Sequence, residues 1–366
     1  MIYAASMVRE RERRRVRERL VTLAGAGLDA GEAQREAIAL LRRAVAFERW
    51  CWPLTDPGSA LATGGTAEFD LWAEIPRIAV LEEHGDITSK PQLVVGPRAS
   101  ITLSAATGGD LSRSRRWREC LRPYGIGDEL MTVCRDRHGC WGSVELMRDS
   151  DEPLFDEQDV ELLHELAPLL GTLLRRSLVT GAQPVTSAKP PLPPATLILD
   201  AELRPASWTP TFRAWLAELG PDGAGDAAEL LLPPAVYEIG TRVLTPADAA
   251  TGLPAFARLR TRTGRWAVLE GAVLEGAGRG HVAVTLRDAS AYEIFDLLSL
   301  AHDLTRRERQ LVALVRDGLA TKQLAESLSI SPHTVQDHLK AVFAKTRAGS
   351  RRELVAQLTG HMPARH

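Results

Sequence analysis

Ser331-Pro-His-Thr-Val-Gln-Asp-His-Leu-Lys-Ala-Val-Phe-Ala-Lys345 opens with a Ser that can cap a helix and a Pro at the first helical position, where a missing amide hydrogen costs nothing. At about 100° per residue, Val335, Leu339, Val342 and Phe343 fall on one side of this helix, and His333, Gln336, Asp337, Lys340 and Arg347 share the other. The first side is built for burial. Upstream, Leu304-Thr-Arg-Arg-Glu308 is a capping box, in which the Thr305 hydroxyl accepts from the amide three residues on and Glu308 reaches back. The helix that follows buries Leu311, Leu314 and Val315, and Gly318 suits a left-handed C-terminal cap. Thr321 to Leu328 predicts a short helix burying Leu324, Ala325 and Leu328. A second capping box, Ser350-Arg-Arg-Glu353, opens a helix that buries Leu354, Val355 and Leu358.

A short helix, a tight turn and a longer helix are the parts of a helix-turn-helix, whose second member lies in a DNA major groove. There Gln can make two hydrogen bonds to adenine, Asp can accept from cytosine, and Lys can reach guanine or a phosphate. Ser331, His333, Thr334, Gln336, Asp337, Lys340 and Arg347 are therefore candidate DNA-binding residues. Lys322, Lys345, Arg351 and Arg352 are candidates for the phosphates, which set register without reading sequence. The same polar side would also serve as the solvated face of an ordinary bundle helix, but two capping boxes around a turn at this spacing favour the DNA reading.

Leu304-Thr-Arg-Arg-Glu-Arg, Gly318-Leu-Ala-Thr-Lys-Gln-Leu-Ala, Ile330-Ser-Pro-His-Thr-Val-Gln-Asp-His-Leu, and Lys345 with Ser350-Arg-Arg-Glu-Leu354 together resemble the LuxR-type DNA-binding domain across residues 303–362. The resemblance implies an all-α four-helix unit with Gln336, Asp337 and Lys340 at base-facing positions. It also implies Thr334 and Lys322 near phosphates, and a fourth helix that helps to form a homodimer. Three departures stand out: Arg306 replaces a usual Pro, Gln336 a common Lys, and Thr346-Arg347-Ala348 a usual Leu-Gly-Val. The second alters sequence preference and affinity, and the third loosens the packing between the last two helices.

Charge agrees in sign. The chain has 366 residues and a formal net charge of -2, yet residues 302–366 hold 11 Lys and Arg against 6 Asp and Glu, leaving 34 against 41 elsewhere. A basic module on an acidic body points weakly to a polyanion such as double-stranded DNA. With 45% hydrophobic and 25% charged residues, the length accommodates two or three domains. No apolar run approaches the roughly 18 residues of a membrane helix. Arg occupies the N-terminus where a signal peptide would be apolar, so a cytoplasmic protein is expected. Four cysteines do not make a disulfide framework, and free thiols are expected.

Upstream of the basic module the chain divides further. Residues 1–30 are an Arg-rich helix, with seven Arg and three Glu from Arg9 to Arg19, expected to be a solvated and frayed face. Glu32 to Trp50 shows helical spacing of Ala37, Leu40, Leu41, Ala44, Val45 and Phe47. A helical stretch near Ile75 to His84 and extended pieces around Gln92 to Val95 follow. Glu129 to Cys134 and Cys140 to Met147 read as a hairpin turning at Gly139, before a helix led by Asp156 and Asp159. The five prolines of Gly181 to Pro194 mark a linker. Beyond it, strands at Ala195 to Asp200, Arg204 to Trp208, Ala255 to Arg260, Trp266 to Leu274 and His281 to Leu286, with a helix through Phe212 and Trp215, predict an α+β module.

The hairpin and Phe155-Asp-Glu-Gln-Asp159 make residues 31–180 similar to a GAF sensory domain. Leu199-Asp-Ala-Glu-Leu, Ser207-Trp-Thr and Arg262-Thr-Gly-Arg-Trp266 make residues 195–290 similar to a PAS domain. The expected architecture is multidomain α+β: two antiparallel-sheet sensory domains, a connector helix at 291–302 that either pairs between subunits or is simply core, and the four-helix module. A small-molecule ligand is expected in the sensory domains. No cofactor is implied.

Enzyme chemistry finds no foothold. Cys134 and Cys140 could join a metal or redox cluster, but zinc sites ordinarily need further ligands at suitable spacing, and small buried strand residues are the better reading. Gly276-Ala-Gly-Arg-Gly280 precedes a strand instead of opening a helix, so it is a turn and no phosphate loop. Neither a Walker motif nor a Gly-x-Ser-x-Gly elbow occurs. Two readings remain: a ligand-gated DNA-binding regulator, and an interaction scaffold whose helical module no longer reads DNA.

Overall fold

The computed structural model describes residues 2–68, 71–180, 191–219, 232–245, 251–276 and 280–360. Helix α1 (Ile2–Leu23) places Val16, Leu20 and, just past its end, Ala24 in the first core, against α2 (Ala30–Leu41) and α6 (Glu157–Thr180). The sequence reading saw only its solvated Arg face. Two apolar residues four apart are enough to seat a helix on a neighbour. Asp29 and Glu32 form a capping box at α2, which ends at Leu41, not at Trp50. Ala44, Val45 and Phe47 reach the same core from the turn that follows, so their spacing only mimics a helix.

Strands β1 (Arg49–Thr55), β2 (Ala62–Ala67), β3 (Ser100–Thr102), β4 (Ile126–Asp136) and β5 (Gly139–Asp149) form an antiparallel sheet in the order β2-β1-β5-β4-β3. Gly139, with φ of +137°, closes the β4–β5 hairpin as read, and a Cβ there would lie 2.3 Å from the Pro57 carbonyl oxygen. Trp50 stands opposite Leu146, and Leu146 opposite Leu130, on the face that α1, α2 and α6 cover. Helices α3 (Ile75–Glu83), α4 (Lys90–Val95) and α5 (Leu103–Thr107) come between β2 and β4 in the chain. Where Gln92 to Val95 reads as extended, Ser89 caps α4 and Pro91 sits in its first turn.

The other face of this sheet carries buried charge beside Met131, Val133 and Met147. Glu145, opposite Cys51 and Met131, accepts from the Cys51 thiol at 2.8 Å and from Ser143 Oγ at 3.1 Å. Arg116 holds Glu129 in a bidentate pair, Nη1 to Oε1 being 3.0 Å, and both side chains are 1% exposed. Burial pushes Glu82 up to about 7 against the opposing pull of Lys90, and it raises Cys51 and Glu145 as well.

Beyond residues 181–190, where most of the predicted linker lies outside the described residues, Pro193 and Pro194 offer their carbonyls to Trp215 Nε1 and Thr211 Oγ1, each at 2.9 Å. A second antiparallel sheet follows. It consists of β6 (Ala195–Leu199), β7 (Pro205–Trp208), β8 (Phe256–Arg260), β9 (Trp266–Val273) and β10 (Val282–Asp288), ordered β7-β6-β10-β9-β8. Within its own unit this repeats the strand order of the first sheet. Helix α7 (Phe212–Leu219) appears as predicted, whereas α8 (Pro234–Leu244), begun by the Pro233-Pro234 pair, is an addition. Helix α8 presses Ile239 onto β9 at Gly271, where a Cβ would come within 2.3 Å of Ile239 Cγ2.

Buried ion pairs join the two sheet units. Arg242 grips Glu83, with Nη2 to Oε1 at 2.5 Å, and donates to the Ser59 carbonyl at 2.6 Å. Arg258 takes Asp56 through Nε and Nη2 at 2.7 and 2.9 Å. Lys90 Nζ lies 3.2 Å from Glu238 Oε1.

Helix α9 (Ala291–Ala301) is wedged between units. Its Ile294, Phe295 and Leu298 pack with Leu304, Val312, Val342, Ala348, Leu354 and Leu358, while Leu297 and Ala301 belong to the first core. Its apolar surface is covered by the same chain, which is the core alternative for this helix and not the pairing between subunits. No described helix is long and apolar enough to cross a membrane.

Candidate nucleic-acid interface

Four helices end the described chain: α10 (Arg306–Arg316), α11 (Thr321–Leu328), α12 (Pro332–Thr346) and α13 (Arg351–Leu358). Thr305 and Glu308 make the predicted capping box, and Ser350 accepts from the Glu353 amide. Ser329, with φ of +52°, turns the chain between α11 and α12, and the Ile330 amide closes on the Ala325 carbonyl at 3.0 Å. Leu311, Val315, Leu324, Ala325, Leu328, Val335 and Leu339 form one buried cluster that fixes α12 across α10 and α11. That packing leaves the opposite side of α12 to solvent.

The exposed side carries most of the residues singled out from the sequence. Side chains of His333 and Lys340 are 85% and 77% exposed, and Gln336 is exposed beside them. Asp337 lies between the two, 3.6 Å from His333 Nε2 and 3.8 Å from Lys340 Nζ. Pairs this exposed are worth little, so they leave the side chains free to exchange partners. Ser331 Oγ accepts from the Thr334 amide at 3.1 Å and lies 2.9 Å from Thr334 Oγ1, at the N-terminal end of α12. Lys322 is exposed and, with Ser329, Ser331 and Pro332, lines a shallow depression beside that end.

Two expected residues are placed otherwise. Lys345 Nζ donates to Glu308 Oε2 at 2.6 Å and to the Asp303 carbonyl at 3.0 Å, so this ammonium braces α12 against α10. Arg347 sits past the end of α12 with φ of +57° and leaves the helical face on which its spacing put it. Arg351 reaches Thr321 Oγ1 at 2.9 Å, whereas Arg352 is exposed. The apolar face of α13 packs on α9 and α10, with Leu354 and Leu358 fully buried as their spacing predicts.

Sequence reasoning missed how this unit is docked. Asp303, with φ of +61°, accepts from Arg137 at 2.5 Å and lies 2.7 Å from His138 Nε2, both at the tip of the β4–β5 hairpin. Arg175 of α6 bonds Asp136 at 2.6 Å and the Ala301 carbonyl at 3.0 Å. Nothing local announces these contacts, because Arg137 and His138 lie more than 160 residues from Asp303, Arg175 lies 126 from Ala301, and even Arg175 and Asp136 are 39 apart.

At the same junction burial pushes His302 down to about 4. An unfolded His titrates near 6.5, so the native state favours the neutral ring; its contribution is complete above pH 6.5 and is lost as pH falls through 4. At pH 5 the wild type should have lost about 1–2 kcal/mol that His302→Asn does not lose. Urea midpoints of both proteins between pH 7 and 4.5 test this, and parallel pH profiles would contradict it.

No group of three His, Cys, Asp or Glu side chains among the described residues is placed to hold a metal ion. All four cysteines are free. Cys134 packs with Leu130 and Trp141, while Cys140 belongs to a separate cluster with Met131 and Val133.

Residues 302–358 match the family described as bacterial regulatory proteins, luxR family. They form a LuxR-type helix-turn-helix domain. Among curated proteins, the monoamine regulon transcriptional regulator of Klebsiella aerogenes is 46% identical over 54 residues, 15% of this chain and 24% of that protein. The transcriptional regulatory protein DesR of Bacillus subtilis is 37% identical over 62 residues, 17% of this chain and 31% of its own length. For the transcriptional regulatory protein FixJ of Rhizobium meliloti the figures are 34% over 83 residues, 23% and 41%. The chain thus spans less than half of each relative, and all three are described as transcriptional regulators.

Proposed function

We propose that the chain is a one-component transcriptional regulator that reads double-stranded DNA through α12. The observation that carries this reading is the division of that helix: Val335, Leu339 and Val342 are buried in the LuxR-type domain, and His333, Gln336, Asp337 and Lys340 are presented outward. Gln336, Asp337 and Lys340 read base edges, with His333 beside them. Lys322, Ser331 and Thr334 meet phosphates at the N-terminal end, where helix amides also favour an anion. Arg347 follows as a backbone contact, and Lys345 supports the helix from behind. The chain acts as a homodimer in the cytoplasm, because paired half-sites suit a recognition surface of this size.

The two sheet units are the sensory part. Their shared strand order and antiparallel pairing support the likeness to GAF and PAS domains. A scaffold reading draws on Asp337, whose carboxylate would oppose DNA phosphates, but Lys340 3.8 Å away offsets that charge.

Lys340→Ala should cost about 1–3 kcal/mol of specific binding and relax sequence preference. By contrast, Lys322→Ala should weaken all sequences alike and reduce the salt slope by about one. Equal effects of both variants on every DNA, measured by fluorescence anisotropy across a salt series, would refute this division of roles.

A further inference from the structure

Where α3, α4, β4 and β5 of the first sheet unit face α8 of the second, the described carboxylates outnumber the cations that hold them. Glu82, Glu129 and Glu145 are 6%, 1% and 8% exposed, and Glu238 joins them from α8. The cations are Lys90 and Arg116, both buried. Arg116 is committed to Glu129 and to Thr88 Oγ1 at 3.1 Å. Glu145 draws on neutral donors, the Cys51 thiol and the Ser143 hydroxyl. Lys90 is left with two carboxylates from different units: its Nζ lies 3.2 Å from Glu238 Oε1 and 4.0 Å from Glu82 Oε2. Glu238 has a second hold on the first unit, because its Oε2 accepts from the Ala62 amide at 2.6 Å. Next to Glu82 in α3, Glu83 is matched by Arg242 of α8. One ammonium does not compensate two carboxylates that burial keeps from water.

We propose that Glu82 holds a proton in this interior and that its ionisation works a latch between the two sheet units, by drawing Lys90 away from Glu238. With Glu82 protonated, Lys90 serves Glu238 alone and ties α4 to α8. When Glu82 ionises, Lys90 is shared, its hold on α8 weakens, and an uncompensated charge is left inside. Burial lifts the Glu82 carboxyl to about 7, Glu145 and Glu238 add to the lift, and Lys90 and Arg116 oppose it. The change of state therefore falls near neutral pH. Helix α8 lies against β9, and Trp266 at the start of β9 packs on the core of the LuxR-type domain. A loosened α8 bears on the seat of the DNA-binding helices; that consequence rests on the reading of the sheet units as sensory, whereas the latch itself does not.

The test follows melting temperature from about pH 5 to 8.5 for the full chain, Glu82→Gln, Glu145→Gln and Glu238→Gln, with amide hydrogen exchange of α8 at about pH 6 and 8. An unfolded Glu titrates near 4.3, so the native state keeps a proton that the unfolded chain has lost, and stability falls as pH rises from there to about 7. Relative to Glu82→Gln, whose amide is neutral throughout, the wild type should melt progressively lower across that range and hold a constant difference above it. On unfolding at about pH 6 it should also release about one proton more than Glu82→Gln, read by calorimetry in buffers of different ionisation enthalpy. Glu238→Gln gives Lys90 to Glu82 and should move the upper end of the range to lower pH, a shift that a merely structural glutamate would not produce. After correction for intrinsic exchange, α8 should be less protected at the higher pH in the wild type and equally protected at both in Glu82→Gln. Parallel melting profiles of wild type and Glu82→Gln, or a profile flattened by Glu145→Gln instead, would overturn Glu82 as the proton site. An unmoved range in Glu238→Gln, or equal protection of wild-type α8 at both pH values, would overturn the latch. No DNA enters these readouts, so failure of the DNA-binding reading is told apart from failure of the latch.

Discussion

Deleting residues 1–20 should cost the protein about 3–6 kcal/mol, the value of uncovering two fully buried aliphatic side chains at roughly 1.5–3 kcal/mol each. Val16 and Leu20 are 1% and 0% exposed and lie in the same core as Leu41, Leu163 and Leu170. Arg13 also lies 3.8 Å from the buried Asp159, which Arg148 holds from the other side at 3.3 Å. Chemical denaturation of the full-length and truncated chains gives the difference directly. A loss below about 1 kcal/mol would return α1 to the solvated face that its composition advertises.

Arg116→Ala should be comparably damaging, about 3–5 kcal/mol, because it strands the Glu129 carboxylate in the interior. Glu129 cannot turn to water when it is 1% exposed, and its surroundings already hold Glu82 and Glu145, whose carboxyl groups burial pushes up. Adding Glu129→Gln to Arg116→Ala should recover part of the loss, since a neutral amide is far cheaper to bury than an unpaired charge. Equilibrium unfolding of wild type, single and double variants measures each step. A single variant within about 1 kcal/mol of wild type would mean that the pair contributes nothing to the packing of this face.

The parts of the fold that were legible in the sequence are those fixed by neighbours along the chain. Thr305 with Glu308, Ser331 with Pro332, and Ser350 with Glu353 announce three helix starts within a few residues, and the structure forms all three. Gly139 likewise announces the β4–β5 hairpin, and the strands of the second sheet were read close to their limits. Local pattern failed where tertiary burial imitates or overrides it. Phe47 is buried from a turn, and the Leu93-Val94-Val95 run is helical because Ser89 and Pro91 start a helix ahead of it. No local signal could disclose Arg258 with Asp56, 202 residues apart, or Arg242 with Glu83, 159 apart.

The candidate interface divides in the same way. Gln336, Asp337 and Lys340 were readable because a buried stripe at helical spacing leaves only one side for solvent. The surroundings of Lys345 were not readable because its partner Glu308 lies 37 residues upstream, nor those of Arg347, because a left-handed residue ends the helix before the spacing can place it. The departure at Thr346-Arg347-Ala348 is absorbed locally: Thr346 Oγ1 bonds the Val342 carbonyl at 2.9 Å, and Ala348 is buried among Val342, Leu354 and Leu358.

The most direct test is selection from a random double-stranded DNA pool at about 0.15 M salt, with the full chain and with Lys340→Ala, followed by sequencing. The account predicts one enriched, two-fold symmetric motif that Lys340→Ala loses or relaxes. No enrichment by the full chain, or the same motif from Lys340→Ala, would contradict reading of DNA through α12.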